Sequence, residues 1–231
     1  MEQSTAILII PALNEELSIG IALSLIPAGL YRAVIVADNG STDRTAEVAR
    51  AHGANVVSEP ERGYGAACLR ALRNLPAGAE IAVFMQGDAS EDANEARKLI
   101  EPISGGRADL VIGSRTLGNA APGALLPHQV FGNHVACFLI CLFWGHRFTD
   151  LGPFRAIRIS ALEQLQMRDR NYGWTVEMQI KAVQHRLRIE EVPVSYRLRI
   201  AGENKVSGNW KASFRAGFKI IWTVLRAAVR S

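Results

Sequence analysis

The sequence predicts an α/β fold, a mainly parallel central sheet flanked by helices, on two observations. Short apolar runs alternate with segments of helical periodicity through the first half of the chain, the pattern of a parallel sheet covered on both faces. Several of those runs also empty into clusters of Gly, Asn, Asp and Ser, and in open α/β sheets such carboxyl ends are where ligands bind. Ala6 to Ile10 reads as the first strand, followed by PALNEE and a helix over Glu16 to Leu25. Ala33 to Ala37 is the second strand, and DNGSTD leads into a helix that runs to His52. Val56 and Val57 mark a third, short strand. After ERGYG come a helix from Ala66 to Asn74, the Ile81 to Met85 strand, a helix over Ala93 to Ile103, and a strand at Leu110 to Gly113. The chain has no internal repeat and no low-complexity segment.

Composition bounds the class. With 231 residues, 48% of them hydrophobic, the chain is long enough to bury a full core and is not a disordered protein. The formal net charge of +4 is a property of the tail: Trp210 to Ser231 holds Lys211, Arg215, Lys219, Arg226 and Arg230 with no acid, and the remaining 21 basic residues face 22 acidic ones. Cys68, Cys137 and Cys141 are odd in number and form no CxxC pair, which argues against a disulfide framework or a structural zinc and fits a reducing cytosol. Cys137 and Cys141 share a helical face and read as small core residues. No secretory or transit leader is expected before Ala6, and the longest apolar stretch, Val135 to Gly145, falls short of the roughly 20 residues that span a bilayer.

The most informative junction is the Ile81 to Met85 strand running into Gln86, Gly87, Asp88, Ala89 and Ser90. A carboxylate at that edge is placed either to hold a cation or phosphate-bearing ligand, or to cap the helix that starts near Ser90 to Asp92. Because parallel strands end at one edge, PALNEE, ADNGSTD, QGDAS and GSR should converge. Asn14 and Glu15 are there either for ligand or to start a helix, and Asp38 is assigned to ligand while Ser41 to Asp43 cap the next helix. ERGYGAA lacks the framing of a dinucleotide fingerprint, so Gly63 and Gly65 either admit a ligand close to the backbone or form a tight turn. Arg115, after a buried strand, suits a phosphate or a carboxylate, with a surface ion pair as the alternative.

The tail is an amphipathic helix by its spacing. Trp210, Phe214, Phe218, Ile221, Leu225 and Val229 recur at steps of three or four beside the basic stripe, as in a helix that lies on an anionic membrane surface. The alternative is a helix packed on the domain. Val135 to Gly145 offers a second apolar surface, lipid-facing or dimer-forming. Nucleic acid is not an expected partner, since no stacking platform accompanies the basic residues.

In this order, IIPALNEE, IVADNGSTD, ERGYGAA, VFMQGDAS, VIGSR, TDLGPFRAIR, YGWTVEM, EVPVSYRLR and GENKVSG resemble a family 2 glycosyltransferase of the GT-A fold. The resemblance is nearest to the dolichol phosphate mannosyltransferase and polyprenyl phosphate glycosyltransferase branch. It runs from about Ile7 to Gly208 and divides the chain into a transferase domain, residues 1–208, and a basic amphipathic helix, residues 209–231.

The resemblance implies a hexose moved from a nucleotide diphosphate sugar, UDP- or GDP-linked, to a lipid-linked acceptor at the cytosolic membrane face, with Mg2+ or Mn2+ as cofactor. It places base and ribose near Pro11, Ala12, Asn14, Glu15 and Asp38, with Gly63 and Gly65 nearby and Gln86 beside the donor. Asp88 is then the ligand of a divalent cation that bridges the diphosphate, Arg115 lines the donor or acceptor pocket, and Arg199 and Lys205, flanking the GEN turn, close over the diphosphate. Two positions depart from the family pattern. Gln86 stands where an acid is usual, leaving Asp88 as the single carboxylate of the metal motif, and Phe131 stands where the lipid phosphate branch commonly has Arg, with His128 and His134 as possible substitutes. An anionic acceptor needs no general base, whereas a hydroxyl does, and Asp150 and Glu177 are the candidate bases. Glu177 reads equally as a buried partner of Arg155 or Arg158. The competing reading is a non-catalytic module that binds a nucleotide sugar or docks to membranes, with Gln86 marking a degenerate metal motif. A nucleotidyltransferase is disfavoured by the lack of a glycine-rich triphosphate loop.

Overall fold

A computed structural model of the protein describes residues 4–201 and 210–230. Seven strands form one sheet: β1 (Ala6–Ala12), β2 (Ala33–Asp38), β3 (Asn55–Ser58), β4 (Ile81–Phe84), β5 (Leu110–Ala120), β6 (Arg155–Arg158) and β7 (Ile189–Tyr196). Among the described residues eight α-helices accompany them: α1 (Ile19–Ser24), α2 (Thr45–Ala51), α3 (Tyr64–Leu72), α4 (Ala96–Ser104), α5 (Pro127–Trp144), α6 (Ile159–Leu165), α7 (Trp174–Gln184) and α8 (Trp210–Arg230). The strand order is β3-β2-β1-β4-β6-β5-β7. β1 pairs in parallel with β2 and β4, β2 with β3, and β5 with β7, while β6 runs antiparallel between β4 and β5. Six strands therefore deliver their carboxyl ends to one edge, and the α/β architecture read from the sequence is borne out.

The apolar runs are continuous because both sheet faces are covered. Along β1, Ile7 and Ile9 enter one core with Phe84, Ile112 and Trp174, under α3, α5, α6, α7 and α8, while Leu8 and Ile10 enter the other under α1, α2 and α4. Phe84 meets Trp174 edge to face at 6.1 Å. β5 reaches seven residues past the expected end at Gly113, because its polar second half pairs with β7 after a register irregularity between Ser114 and Asn119.

The described part of α8 packs inward through Ile220, Val224 and Ala227, with Val224 fully buried. Phe218, Trp222, Leu225 and Val229 remain exposed, so the helix is both packed on the domain and open on its far face. On α5, Phe131, Phe138, Leu142 and Phe143 are likewise exposed. Cys137 is buried and Cys141 half-buried, both free thiols.

Gly63 and Gly65 face the chain's own backbone. A Cβ on Gly65 would stand 2.0 Å from the Asp169 carbonyl oxygen, and one on Gly63 2.1 Å from that of Arg170, where φ is also +145°. This close approach lets Ala66 N–H donate to the Arg170 carbonyl at 2.9 Å. The two glycines thus seat the segment that precedes α7, and the ligand contact expected of them is not what adjoins them. Gly65→Ala is expected to lower stability by about 1–3 kcal/mol through overpacking, measured as a fall in the urea midpoint at unchanged slope.

Candidate functional site

The loops after β1 and β2 are stitched together before either reaches a ligand. Asn14 N–H donates to Ser41 Oγ at 2.9 Å, Thr42 N–H to Asn14 Oδ1 at 2.8 Å, and Glu15 N–H to Thr45 Oγ1 at 2.7 Å. Asn14 holds a left-handed φ of 50°, a conformation asparagine tolerates better than most residues. Asp38 is 9% exposed and accepts Ser41 N–H at 3.3 Å; Ala12 is buried. Pro11 and Glu15 line the cleft, whereas Ala12, Asn14 and Asp38 are not in its lining.

That cleft, about 360 Å³, lies at the shared strand edge, within the size range of small-molecule sites. Gln86, Asp88, Arg115 and Arg199 line it with Tyr64, His128 and Tyr196. The cap of the short 3-10 turn at Ala93–Glu95 is Asp92, whose carboxylate accepts Asn94 N–H at 3.0 Å, so Asp88 is left for the cleft. Asp88 Oδ1 accepts from Ser90 N–H at 3.0 Å and from Ser90 Oγ at 2.6 Å, which fixes the carboxylate's orientation. Its Oδ2 has the Arg199 guanidinium at 4.0 Å. Gln86 Oε1 accepts from Tyr196 OH at 3.3 Å and lies 3.1 Å from Ser90 Oγ.

Arg199 reaches across the cleft to Glu15, whose carboxylate also accepts Ser18 Oγ–H at 2.7 Å. Lys205 lies outside the described residues. His128 lines the cleft, whereas His134 is exposed on α5 with Nδ1 against the Val130 carbonyl at 2.7 Å.

Arg115 sits within β5 and makes a two-pronged contact with Asp150: Nε to Oδ2 at 2.8 Å and Nη2 to Oδ1 at 2.7 Å, with the Arg115 backbone N–H also on Oδ2 at 2.8 Å. The guanidinium carbon stands 5.1 Å from the centre of the Tyr196 ring, and Nη1 has no partner among the described residues. Asp150 is 1% exposed. Its loop is held by Gln179 Nε2 on the Asp150 carbonyl at 3.0 Å, by Asn133 Oδ1 accepting Leu151 N–H at 2.8 Å, and by Glu191 accepting Thr149 N–H at 2.9 Å. The fully buried Arg155 donates to the carbonyls of Leu151, Gly152 and Thr175 from beneath. Both Asp150 oxygens thus lie on one guanidinium, the geometry of an anchoring contact.

Glu177 lies elsewhere. It accepts the N–H groups of Arg168 and Asp169 and pairs with Lys181 at 2.8 Å, away from Arg155, Arg158 and the cleft.

The sequence reading missed Glu91. It is 3% exposed, its Oε2 accepts Gln86 N–H at 2.7 Å, and its Oε1 has no hydrogen-bond partner among the described residues. Burial first, and the Asp88 charge second, push the carboxyl up from its ordinary 4.5 to about 8. The folded chain keeps this proton where the unfolded chain has released it, so stability should fall as pH rises from about 4.5 to 8 and level off above. Glu91→Gln should flatten that decline, read from urea midpoints at pH 5 and pH 8 in the presence of a chelator.

The described residues contain no cluster of three His, Cys, Asp or Glu side chains able to hold a metal. Hard oxygens nonetheless line the cleft: the Asp88 carboxylate and the Gln86 amide. This set fits Mg2+ or Mn2+, which take one or two protein oxygens and complete their shell with water and phosphate.

The profile described as Glycosyl transferase family 2 matches residues 7–166. An uncharacterized glycosyltransferase of Mycobacterium tuberculosis is 40% identical over 212 residues, spanning 90% of this chain and 92% of its own. The undecaprenyl-phosphate mannosyltransferase of Micrococcus luteus is 28% identical over 221 residues, 87% of this chain and 86% of that protein. Glucosyl-3-phosphoglycerate synthase from Mycobacterium tuberculosis, solved with Mn2+, UDP-glucose and phosphoglyceric acid, superposes with a TM-score of 0.77 at 25% identity, over 96% of this chain and 79% of that one.

Proposed function

Because the chain belongs to glycosyl transferase family 2, we propose that it moves a hexose from a nucleotide diphosphate sugar to a polyprenyl phosphate by inverting displacement. The observation that carries this reading is the convergence of Asp88, Arg199 and Arg115 on one cleft at the strand edge. The structural likeness to glucosyl-3-phosphoglycerate synthase bears out the GT-A fold and makes UDP-glucose with Mn2+ the first donor to test.

Each residue has a separable task. Asp88 and Gln86 would hold a divalent cation, which when bound offsets the charge gathering on the departing diphosphate. Arg199 exchanges its contact with Glu15 for the diphosphate, adding a fixed cation at the leaving group. Arg115, immobilised by Asp150, offers Nη1 to an anionic oxygen of donor or acceptor. The acceptor enters beside His128 and Asn133 on α5 and Ile220 on α8. Of the carboxylates lining the cleft, Glu15 is already bonded to Arg199 and Asp88 is the cation ligand, so an acceptor that arrives anionic suits the site better than a hydroxyl.

Among the described residues no helix is long and apolar enough to cross a membrane. The exposed apolar face of α8 beside Lys219 and Arg226 supports peripheral attachment to an anionic membrane, proposed here as its cytosolic face, with α5 adjoining. Homodimerisation through that face is the competing use, separable by light scattering.

Arg199→Gln is expected to lower kcat/KM for the donor by roughly 10²-fold with an unchanged melting temperature. The deciding experiment offers UDP- and GDP-hexoses with Mn2+ or Mg2+ to polyprenyl phosphate and to a polyprenyl alcohol, with products read by mass spectrometry. A glycosylated phosphate is expected. A product on the alcohol would shift attention to His128 as base, and neither transfer nor hydrolysis with any donor would sink the enzyme reading.

A further inference from the structure

A second cleft, about 660 Å³, opens between α8, α7 and the segment that leads into α7, away from the strand edge. Its charges do not cancel. Of its two acids, Glu177 is matched by Lys181 at 2.8 Å and Asp169 by Lys219 at 2.9 Å. Arg170 is turned outward to Glu61. Arg168 and Arg226 line the same cleft with no ion-pair or hydrogen-bond partner for either guanidinium among the described residues.

The positions of the two arginines are set by the fold. Glu177 at the start of α7 accepts the Arg168 and Asp169 N–H groups at 3.1 and 2.7 Å, fixing the turn that carries Arg168. Arg226 is brought opposite because α8 presses on Gly173, where a Cβ would meet Thr223 Oγ1 at 2.8 Å. The remaining wall is apolar: Leu165, Ile180 and, at the lip, Trp222. Trp222 is 52% exposed and stacks on Phe218, which belongs to the open apolar face of α8.

From this we propose that the cleft binds the phosphate headgroup of an acidic phospholipid, with Arg168 and Arg226 as its two cations. A free phosphate would satisfy the guanidiniums alone. A phospholipid also accounts for the apolar lip, since its acyl chains continue over Trp222 and Phe218 while the headgroup enters between α7 and α8. The inference rests on the membrane reading given above and assigns its anionic preference to one site: the apolar face supplies attachment, and the cleft engages the headgroup phosphate.

The test is co-sedimentation with vesicles of phosphatidylcholine, with and without phosphatidylglycerol, for the wild-type chain, R168Q/R226Q, and R147Q/R186Q as a control that removes the same charge from other exposed sites. R168Q/R226Q should bind phosphatidylglycerol vesicles roughly 10-fold more weakly than wild type while keeping wild-type affinity for phosphatidylcholine alone, and the control should lose clearly less. Donor hydrolysis and melting temperature should match wild type in both variants, which excludes misfolding. Equal losses in the two variants would reduce the effect to net charge and overturn the cleft. Loss of inorganic phosphate binding in R168Q/R226Q with phosphatidylglycerol vesicle binding unchanged from wild type would make it a free-phosphate site and overturn the lipid assignment. A wild-type chain that sediments with neither vesicle would overturn the membrane reading itself.

Discussion

Asp88→Asn is expected to reduce turnover by on the order of 10²–10³-fold without changing the fold. The substitution keeps the size of the side chain and an oxygen that can accept from Ser90 N–H and Oγ, contacts now at 3.0 and 2.6 Å. What it removes is the negative charge of the one cleft carboxylate, among the described residues, not bonded to a cation at short range. Since position 86 of the motif is Gln rather than an acid, no second carboxylate of the motif is there to take over under the proposed reading. The loss should appear in transfer and in donor hydrolysis alike, and the Mn2+ concentration needed for half activity should rise. Undiminished turnover in Asp88→Asn would move the cation, or dispense with it, and the non-catalytic module with a degenerate motif would be judged on whether wild type turns over at all.

Asp150→Ala is expected to cost about 3–5 kcal/mol of stability, the scale for stripping one partner from a buried ion pair. Arg115 would keep its charge, 16% exposed, with neither carboxylate oxygen to receive Nε and Nη2. Asp150→Asn is the informative companion, because it preserves the shape and one acceptor. An anchoring role gives an intermediate loss of stability and a rise in donor or acceptor KM as Arg115 loosens. Full stability with turnover abolished would instead return Asp150 to the chemistry. Removing both charges with R115M/D150L should recover part of the stability lost in Asp150→Ala, since an apolar pair needs no mutual neutralisation.

How legible these features were depended on whether their cause was local. β1, β2 and β4 were read from apolar runs because both of their faces are buried, and the helices between them carry their own periodicity. β6 escaped because Arg155 and Arg158 bound a strand of four residues, and β7 because Glu190, Glu191 and Pro193 interrupt an edge strand. At the site, Gln86, Asp88, Pro11, Glu15, Arg115 and Arg199 were named from strand ends and motifs and do line one cleft. For Gly63 and Gly65 neither the ligand approach nor the tight turn open to the sequence includes what adjoins them, a backbone segment more than 100 residues away. The Arg115–Asp150 pair also joins positions 35 residues apart, and nothing in either neighbourhood announces it. Glu91 was overlooked as one more acid in an acidic turn, where only three-dimensional burial sets it apart.

The antiparallel β6 has a consequence for how the chain comes off the ribosome. It is made after β5 yet lies between β4 and β5, so β1 to β4 can pair as they emerge, whereas β5 has no route onto that sheet until residues 155–158 are available. During that interval the nascent sheet carries an unpaired, wholly apolar β4 edge, a template for another copy. A chain arrested at Pro153 should accordingly aggregate, and one released at Leu165 should not do so through that edge. The strand least visible in the sequence thus sets the moment at which two halves of the protein become one.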